Sequence, residues 1–405
     1  MKRKPELHLH GMKRKSAAVA SLAMLSLAGL ALAQATPALA DPTVQYVAVG
    51  SDTVQDVENQ FAIDASGNLL GSYNATNQVT NAVHEVITPD KTTGQICSFA
   101  RPNGSGEGRE ALGASLGLTD TGTPVAPAPQ SGCVDIARSS STPPSANVNA
   151  NGALVFIPFA IDAVAGSTGP AAAGTVGGVA TQATKITTAG SFTLADLKNL
   201  YDNCTPVTEG GVTYDPKGTT SGDTPIDLYI PQPGSGTRSF WESTLGFTDA
   251  SLPTCVHDHI IAGVDNGNSV EEHDGTAVAT DPNGFGPFSV AQWISQRNGH
   301  DDRRHGAQVY SLNGVSPFSN GSATTGALNT AFPITREVFN VVQYSRVAAG
   351  GANFDAGLAS LLVGPSSFVC SDSFQIRQYG FATLPATAST FDTCGSISNA
   401  NLRAF

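Results

Sequence analysis

The sequence predicts an α/β protein with mainly parallel sheets, folded into two lobes or domains. Short apolar runs repeatedly precede a Gly/Ser-rich turn and then a helix-like stretch, an order that is typical of α/β units. Removing a predicted targeting segment, residues 1–40, from the 405 residues of the chain leaves 365, which is too many for one ordinary hydrophobic core. Hydrophobic residues make up 40% of the chain, enough to fill two such cores.

The strand–turn–helix units follow one another along the chain. The predicted strands cover 45–49, 96–100, 134–137 and 226–230, and the predicted helices cover 54–61, 192–200, 238–245 and a stretch that begins at Arg109. Helix 192–200 is amphipathic and has a candidate N-cap at Ser191 or Thr193. Segments 121–132 and 165–190 are rich in Pro, Ala, Gly and Thr, and are predicted to be surface loops.

The N-terminus has the three parts of a secretory signal peptide. A basic stretch, 1–15, precedes an apolar run, 16–33, and small residues follow up to a cleavage site after Ala40. An uncleaved membrane anchor is the alternative, and either Met1 or Met12 can be the start. No other stretch approaches the roughly 18–20 apolar residues of a bilayer span. No cysteine lies near the cut, so we expect a soluble secreted protein, extracellular or periplasmic, without a lipid anchor on cysteine.

The charge of the chain excludes two classes of protein. The full sequence has 21 basic and 33 acidic residues, a net charge of −12. Residues 1–40 hold six of the basic residues and one of the acidic ones, so the mature chain has 15 against 32, a net charge of −17. Non-specific nucleic-acid binders and polybasic membrane proteins need the opposite sign.

Six cysteines, an even number in a secreted chain, predict disulfide bonds. They lie at positions 97, 133, 204, 255, 370 and 394, none in a CxxC spacing and none with histidines at a zinc-binding spacing. Spacing alone does not determine how six cysteines pair.

Four turns share small hydroxyl-bearing residues at a predicted helix start. Their residues are Ser51 and Thr53, Ser105, Ser139 and Ser140, and Ser235 and Thr237. A helix N-terminus offers unpaired backbone N–H groups and a partial positive charge, and hydroxyls add further donors. For any single turn, an ordinary serine cap is the commoner explanation. Four such turns after strands predict one anion-binding site.

These turns resemble the ligand loops of a known family. Residues 234–238, GSGTR, with Phe240, resemble the GSGTR-x-F signature of substrate-binding proteins for phosphate ABC transporters. Residues 50–53, 103–108 and 137–143 are similar to the first, second and third ligand loops of that family. Residues 154–162 and 336–344 resemble its two hinge crossings, and 265–293 its late second-lobe block. The resemblance covers most of 44–345.

The resemblance implies a two-lobed type 2 periplasmic-binding-protein fold with two hinge crossings. The signal peptide would be 1–40, lobe one 41–156, lobe two 157–334, and the return crossing with the rest of lobe one 335–405. Cys204 and Cys255 would then be alone in lobe two and form a disulfide. The four cysteines of lobe one can pair in more than one way, and Cys97–Cys133 with Cys370–Cys394 is favoured because these pairs close the shorter loops.

The resemblance also implies the ligand and its contacts. The ligand would be inorganic phosphate or a similar oxyanion, bound without metal or cofactor by a non-enzymatic monomer that serves an ABC-transporter permease or scavenges phosphate. The implied contacts are Ser51, Asp52, Thr53, Ser105, Arg138, Ser139, Ser140, Ser235, Gly236, Thr237 and Arg238. Two departures leave the anion open. Ser139 or Ser140 replaces the usual third-loop Asp, and Pro231 replaces an Arg that precedes the GSGT loop.

An extracellular esterase or phosphatase on a two-lobed scaffold is the alternative function. Residues 113–117 match the GxSxG nucleophile-elbow pattern, but an elbow needs a strand before its serine and the preceding residues predict a helix. Residues 257–259, 271–274 and 301–305 group histidines and charges without a metal-binding spacing, so we predict that they lie on the surface.

Overall fold

The computed structural model describes residues 43–263 and 266–405. Outside the described residues lie the predicted signal peptide, its cleavage site and the two candidate start residues. Asp265, the first residue of the block 265–293, also lies outside them. Within the described ranges, no helix is long and apolar enough to cross a membrane.

The chain alternates strands and helices through most of its length. The strands are β1 (Tyr46–Gly50), β2 (Leu70–Ser72), β3 (Val86–Ile87), β4 (Phe99–Ala100), β5 (Ile136–Ser139), β6 (Leu154–Thr168), β7 (Gly174–Val176), β8 (Val179–Thr181), β9 (Val207–Glu209), β10 (Val212–Asp215), β11 (Thr224–Pro225), β12 (Asp227–Tyr229), β13 (Val256–His257), β14 (Gly284–Ser289), β15 (Gln308–Val309), β16 (Thr335–Gln343), β17 (Ala382–Thr383) and β18 (Arg403–Ala404). The helices are α1 (Gln55–Asp64), α2 (Ser105–Leu116), α3 (Leu194–Tyr201), α4 (Gly236–Leu245), α5 (Thr276–Thr280), α6 (Val290–Arg297), α7 (Tyr344–Val347), α8 (Ala356–Leu362), α9 (Phe368–Ser371) and α10 (Ser373–Gln378).

One large curled sheet organises the protein, with strand order β13-β12-β14-β6-β16-β5-β1-β2. The strands near its two ends are parallel: β1 pairs with β2 and β5, and β12 pairs with β13 and β14. The two long middle strands, β6 and β16, run antiparallel to their neighbours and to each other. The predicted α/β class is confirmed, and the antiparallel middle limits the parallel pairing to the ends of the sheet.

Strands β6 and β16 coincide with the two predicted hinge crossings. The first part of β6 pairs with β16 and its last five residues pair with β14, so β6 connects the two ends of the sheet. All but one of the 15 residues of β6 are buried, which explains its almost continuous apolar sequence. The division into lobes at 156/157 and 334/335 stays a prediction.

Several helices, strands and loops differ in extent from the sequence predictions. Helix α2 begins at Ser105 rather than Arg109, because the Gly-rich segment forms its first turn. Strand β4 is only two residues long and pairs with β3 outside the large sheet. Segment 165–190 is not a simple loop, since it contains the end of β6 and the hairpin of β7 and β8. Thr193 caps α3 through a capping box with Asp196.

Three disulfide bonds join Cys97 to Cys133, Cys204 to Cys255, and Cys370 to Cys394. These are the pairs favoured from the resemblance, and they leave no free cysteine. Each is expected to stabilise the fold by roughly 2–4 kcal/mol, mainly by restricting the unfolded chain.

A buried carboxyl group in α1 predicts a pH-dependent stability. Burial raises the pKa of Glu58 to about 7, although a hydrogen bond from Asn340 and the charge of Arg138 oppose this shift. The pKa of Glu58 in the folded protein lies above its unfolded value of about 4.5. The protonated side chain therefore stabilises the fold at pH values below 4.5, and this stabilisation is lost as the pH rises through 7. We expect Glu58→Gln to be more stable than the parent above pH 7 and to differ little at pH 5, measured by urea unfolding. An equal difference at both pH values would contradict this.

Candidate functional site

The turn that follows β1 buries three polar side chains. Gly50 has a φ of +112°, and a Cβ there would lie 2.9 Å from the carbonyl oxygen of Arg138, so the turn requires glycine. Ser51, Asp52 and Thr53 come next, and each is at most 2% exposed. Buried polar groups need partners, and theirs come from distant parts of the chain.

Three serine hydroxyls meet where β1, β5 and α2 come together. Ser51 Oγ donates to Ser140 Oγ at 3.1 Å, and the backbone N–H of Ser140 donates to Ser105 Oγ at 3.0 Å. The hydroxyls of Ser105 and Ser140 are 3.4 Å apart. We call Ser51, Ser105 and Ser140 the serine cluster, and it joins the first three of the four predicted turns.

The start of α4 packs directly on the serine cluster. The backbone N–H of Gly106 donates to the carbonyl oxygen of Gly234 at 2.9 Å. A Cβ at Gly236 would overlap the hydroxyls of Ser105 and Ser140, so only glycine permits this approach. The N-termini of α2 and α4, which each carry a partial positive charge, are therefore in contact.

An arginine from β16 reaches the threonines of two turns. The Nη2 of Arg336 donates to Thr237 Oγ1 at 2.8 Å and to Thr53 Oγ1 at 3.4 Å, and the two hydroxyl oxygens are 3.4 Å apart. Arg336 also forms a buried ion pair with Asp162 of β6 at 2.8 Å. Its Nη1 is buried and has no hydrogen-bond partner among the described residues. The site thus has a buried cation that is carried by β16 and held by Asp162 of β6.

Glu272 and His273, which we predicted to be surface residues, are buried in this site at 1% and 2% exposure. Glu272 Oε1 accepts hydrogen bonds from the backbone N–H of Thr237 at 3.1 Å and from Thr53 Oγ1 at 3.0 Å. His273 Nε2 lies 2.8 Å from Thr53 Oγ1 and 3.3 Å from Glu272 Oε1. The sequence prediction was wrong because these polar residues find buried partners across the chain.

The Glu272 carboxyl group is charged at neutral pH. Burial disfavours its charged form, but hydrogen bonds from His273 and Thr237, together with electrostatic attraction from His273 and Arg336, outweigh burial and lower its pKa to about 2. Donors that belong to two different turns therefore stabilise a negative oxygen at one position.

An ion pair lies beside the carboxylate. Asp52 Oδ1 contacts Arg303 Nη2 at 3.2 Å, and both side chains are largely buried. Burial raises the pKa of Asp52, although Arg303 and His273 oppose this shift. The prediction of a solvated surface cluster at 301–305 therefore does not hold for Arg303, which connects the turn after β1 to the segment after α6.

Four predicted ligand residues point their side chains to other partners. Arg138 donates to Ser72 Oγ and to the carbonyl oxygens of Gly50 and Tyr73, so it supports the first turn from behind. Arg238 forms ion pairs with Glu242, Asp249 and Asp258. Ser139 Oγ donates to the carbonyl oxygen of Ser141, and Ser235 Oγ caps α4 by accepting from the N–H of Arg238. The arginine that does contact two of the turns is Arg336, through Thr53 and Thr237.

The other sequence candidates do not form a site. Ser115 lies inside α2 and exchanges hydrogen bonds with the backbone of Val134, so no strand precedes it as an elbow would require. Among the described residues, no group of three or more His, Cys, Asp or Glu side chains could hold a metal ion.

Arg336 and Asp162 were missed as site residues, although the sequence contains a signal for them. Asp162 is the one charged residue of β6, and Arg336 lies in β16, most of whose residues are buried; buried charges are retained when they pair. Glu272 and His273 had no comparable signal, because they lie in an irregular segment whose burial depends on the tertiary fold.

Comparisons with known proteins give a distant structural similarity. No protein-family model and no curated protein sequence matches the chain. A putative phosphate ABC transporter substrate-binding protein with bound phosphate from Clostridium perfringens is similar, with 13% identity and a TM-score of 0.45, over 84% of this chain and 100% of that one. An ABC-type phosphate transport receptor from Vibrio cholerae has 15% identity and a TM-score of 0.43, over 84% and 100% of the two chains.

Proposed function

We propose that this chain is a secreted solute-binding protein that captures inorganic phosphate or a related oxyanion between two lobes. The anion would be held by the serine cluster, the start of α4, Thr53 and Arg336. The protein would then deliver the anion to an ABC-transporter permease or scavenge it. The proposal rests on the local chemistry of these groups and on the motifs in the sequence.

The observation that carries the proposal is the binding of one carboxylate oxygen by donors of two turns. Glu272 Oε1 accepts from the hydroxyl of Thr53 and from the N–H of Thr237, and Arg336 lowers its pKa from nearby. A carboxylate and a phosphate oxygen present the same acceptor chemistry to such donors. These donors therefore suit an oxyanion, and several charge-assisted bonds of about 1.5–3 kcal/mol each support micromolar affinity.

The negative charge of the mature chain is compatible with anion binding. Exposed charges farther than about 8–10 Å are largely screened at physiological salt. Helix N-termini, hydroxyls and a buried guanidinium act at contact distance, where screening is weak.

The hydrolase alternative has one favourable observation, the contact between Thr53 Oγ1 and His273 Nε2 at 2.8 Å. A nucleophile–histidine pair also needs a group that orients the second ring nitrogen. His273 Nδ1 has no such partner within the part of the chain that the structure describes, and Glu272 contacts the same nitrogen as Thr53. The pair therefore favours hydroxyl positioning over nucleophilic catalysis.

Isothermal titration of the mature chain against phosphate, sulfate and arsenate tests the proposed function. We expect at least one of these tetrahedral oxyanions to bind with micromolar or tighter affinity. A parallel assay with a generic ester and a phosphomonoester tests the alternative. Ester hydrolysis without binding of any of the three anions would overturn the proposal.

Anion binding should change the shape and stability of the protein. The serine cluster packs against Gly236 at the start of α4, and a cavity of about 540 Å³ lined in part by Gly106, Ser141 and Gly234 lies next to this contact. Ligand entry therefore requires the contact to open, and the anion would hold it closed. We expect saturating phosphate to compact the protein in solution scattering and to raise its Tm. Unchanged scattering with a tightly bound anion would argue for a rigid protein, because binding alone already raises the Tm.

A further inference from the structure

We propose that Glu272 is a built-in competitor that sets the affinity of the site, because its carboxylate occupies the position of an anion oxygen. The proposal rests on the proposed function and deepens it. Glu272 Oε1 accepts from the N–H of Thr237 and the hydroxyl of Thr53, which are the donors that the proposed function assigns to the ligand.

The packing around the carboxylate makes the two occupants mutually exclusive. Glu272 and the hydroxyl-bearing side chains of Thr53 and Thr237 are at most 1% exposed, and Gly236 already touches the serine cluster. A second anion beside a charged carboxylate in such an enclosed place would experience strong repulsion. An external anion therefore binds only when Glu272 leaves its donors.

The segment that carries Glu272 has features of an element with two arrangements. His273, the next residue, has a φ of +59°, a left-handed conformation that is unfavourable for a residue with a side chain. Side-chain amides hold this turn from outside: Gln296 Nε2 donates to the carbonyl oxygen of His273, and Asn103 Nδ2 donates to Glu271. Release of Glu272 would free this turn and expose the donors together.

Competition lowers the apparent affinity without altering the ligand contacts. When only a fraction of the molecules has the donors free, the measured Kd rises in inverse proportion to that fraction. Removing the negative charge of Glu272 should therefore tighten anion binding, which is the opposite of what loss of a ligand contact produces.

The test compares Glu272→Gln with Glu271→Gln, its neighbour in the same segment. Glu271 accepts from Asn103 rather than from the threonines, so its variant is a matched control. In phosphate titrations of the mature chain, we expect Glu272→Gln to bind at least tenfold more tightly than the parent and Glu271→Gln to bind like the parent. Equal or weaker binding by Glu272→Gln would overturn the competitor and make Glu272 a ligand contact or a structural residue. Failure of all three proteins to bind phosphate, sulfate or arsenate would instead overturn the proposed function.

A second readout does not depend on phosphate. Glu272→Ala leaves the donors without their carboxylate, and acetate added from solution can take its place. We expect acetate to raise the Tm of Glu272→Ala in a saturable manner, and to leave the parent and Glu271→Ala unaffected at the same ionic strength. The absence of this rescue in a folded Glu272→Ala variant, judged by circular dichroism, would show that the position does not accept an anion from solution and would overturn the proposal.

Discussion

Arg336→Met is expected to abolish phosphate binding and to destabilise the fold by about 3–5 kcal/mol, because it removes one partner of a buried ion pair. The side chains of Arg336 and Asp162 are 3% and 0% exposed, and both Nε and Nη2 of the arginine donate to Asp162 Oδ2. Methionine fills similar space but leaves that oxygen without its cation. Urea unfolding and phosphate titration measure the two effects separately.

The double variant Arg336→Met/Asp162→Asn separates fold from function. In the parent, the hydroxyl of Ser289 and the N–H of Ala291 donate to Asp162 Oδ1. The side-chain oxygen of an asparagine can accept the same two hydrogen bonds, so most of the lost stability should return. Binding should stay lost, since the cation is absent. Arg346→Met removes an arginine that pairs with Asp135 and Asp355 elsewhere, and should keep the parent affinity. Phosphate binding by a folded double variant would exclude Arg336 from the site.

Thr237→Val is expected to weaken phosphate binding at least tenfold with little effect on the fold. Valine keeps the backbone N–H at position 237 and the shape of the side chain. It removes the hydroxyl oxygen that accepts a hydrogen bond from Arg336 at 2.8 Å. A tenfold loss corresponds to about 1.4 kcal/mol, which is at the lower end of what a hydrogen bond to a charged group contributes. Titration and thermal unfolding of the same preparation measure both quantities.

Thr244→Val is the control for this variant, because Thr244 lies in the same helix and its hydroxyl donates to the carbonyl oxygen of Phe240. It should bind phosphate like the parent. Ser115→Ala should also leave binding unchanged, since the Ser115 hydroxyl bonds to the backbone of Val134. Parent-like binding by Thr237→Val, together with loss of an ester-hydrolysing activity in Ser115→Ala, would favour the hydrolase.

The sequence allowed prediction of the segments that approach each other better than of the side chains that meet. Turn chemistry after apolar strands located Ser51, Ser105, Ser140 and Thr237, because glycine and small hydroxyl residues at a helix start are a local signal. The partners of Arg138 and Arg238 depend on which way each side chain leaves its strand or helix, and this was not evident from sequence. Glu272 needed the tertiary fold for its burial.

The middle of the sheet was predicted only in part for a related reason. A buried strand such as β6 has the same apolar sequence whether its neighbours run parallel or antiparallel. Direction depends on the connections between strands, and the long return to β16 is not encoded in either strand. The resemblance to hinge crossings located both strands without predicting that they pair with each other.

The position of Arg336 on a crossing strand has a mechanical consequence. If the two ends of the sheet rotate about β6 and β16, a group on β16 lies near the rotation axis and moves little. Thr53 follows β1 and Thr237 follows β12, on opposite sides of that axis, so they move relative to each other. A ligand shifts a conformational equilibrium only through the difference between its affinities for the two states. Arg336 would attract the anion equally before and after the rotation, so it would add to the affinity without favouring either conformation. The threonine hydroxyls would both contact the anion in only one of the two conformations, so these contacts would favour the closed one.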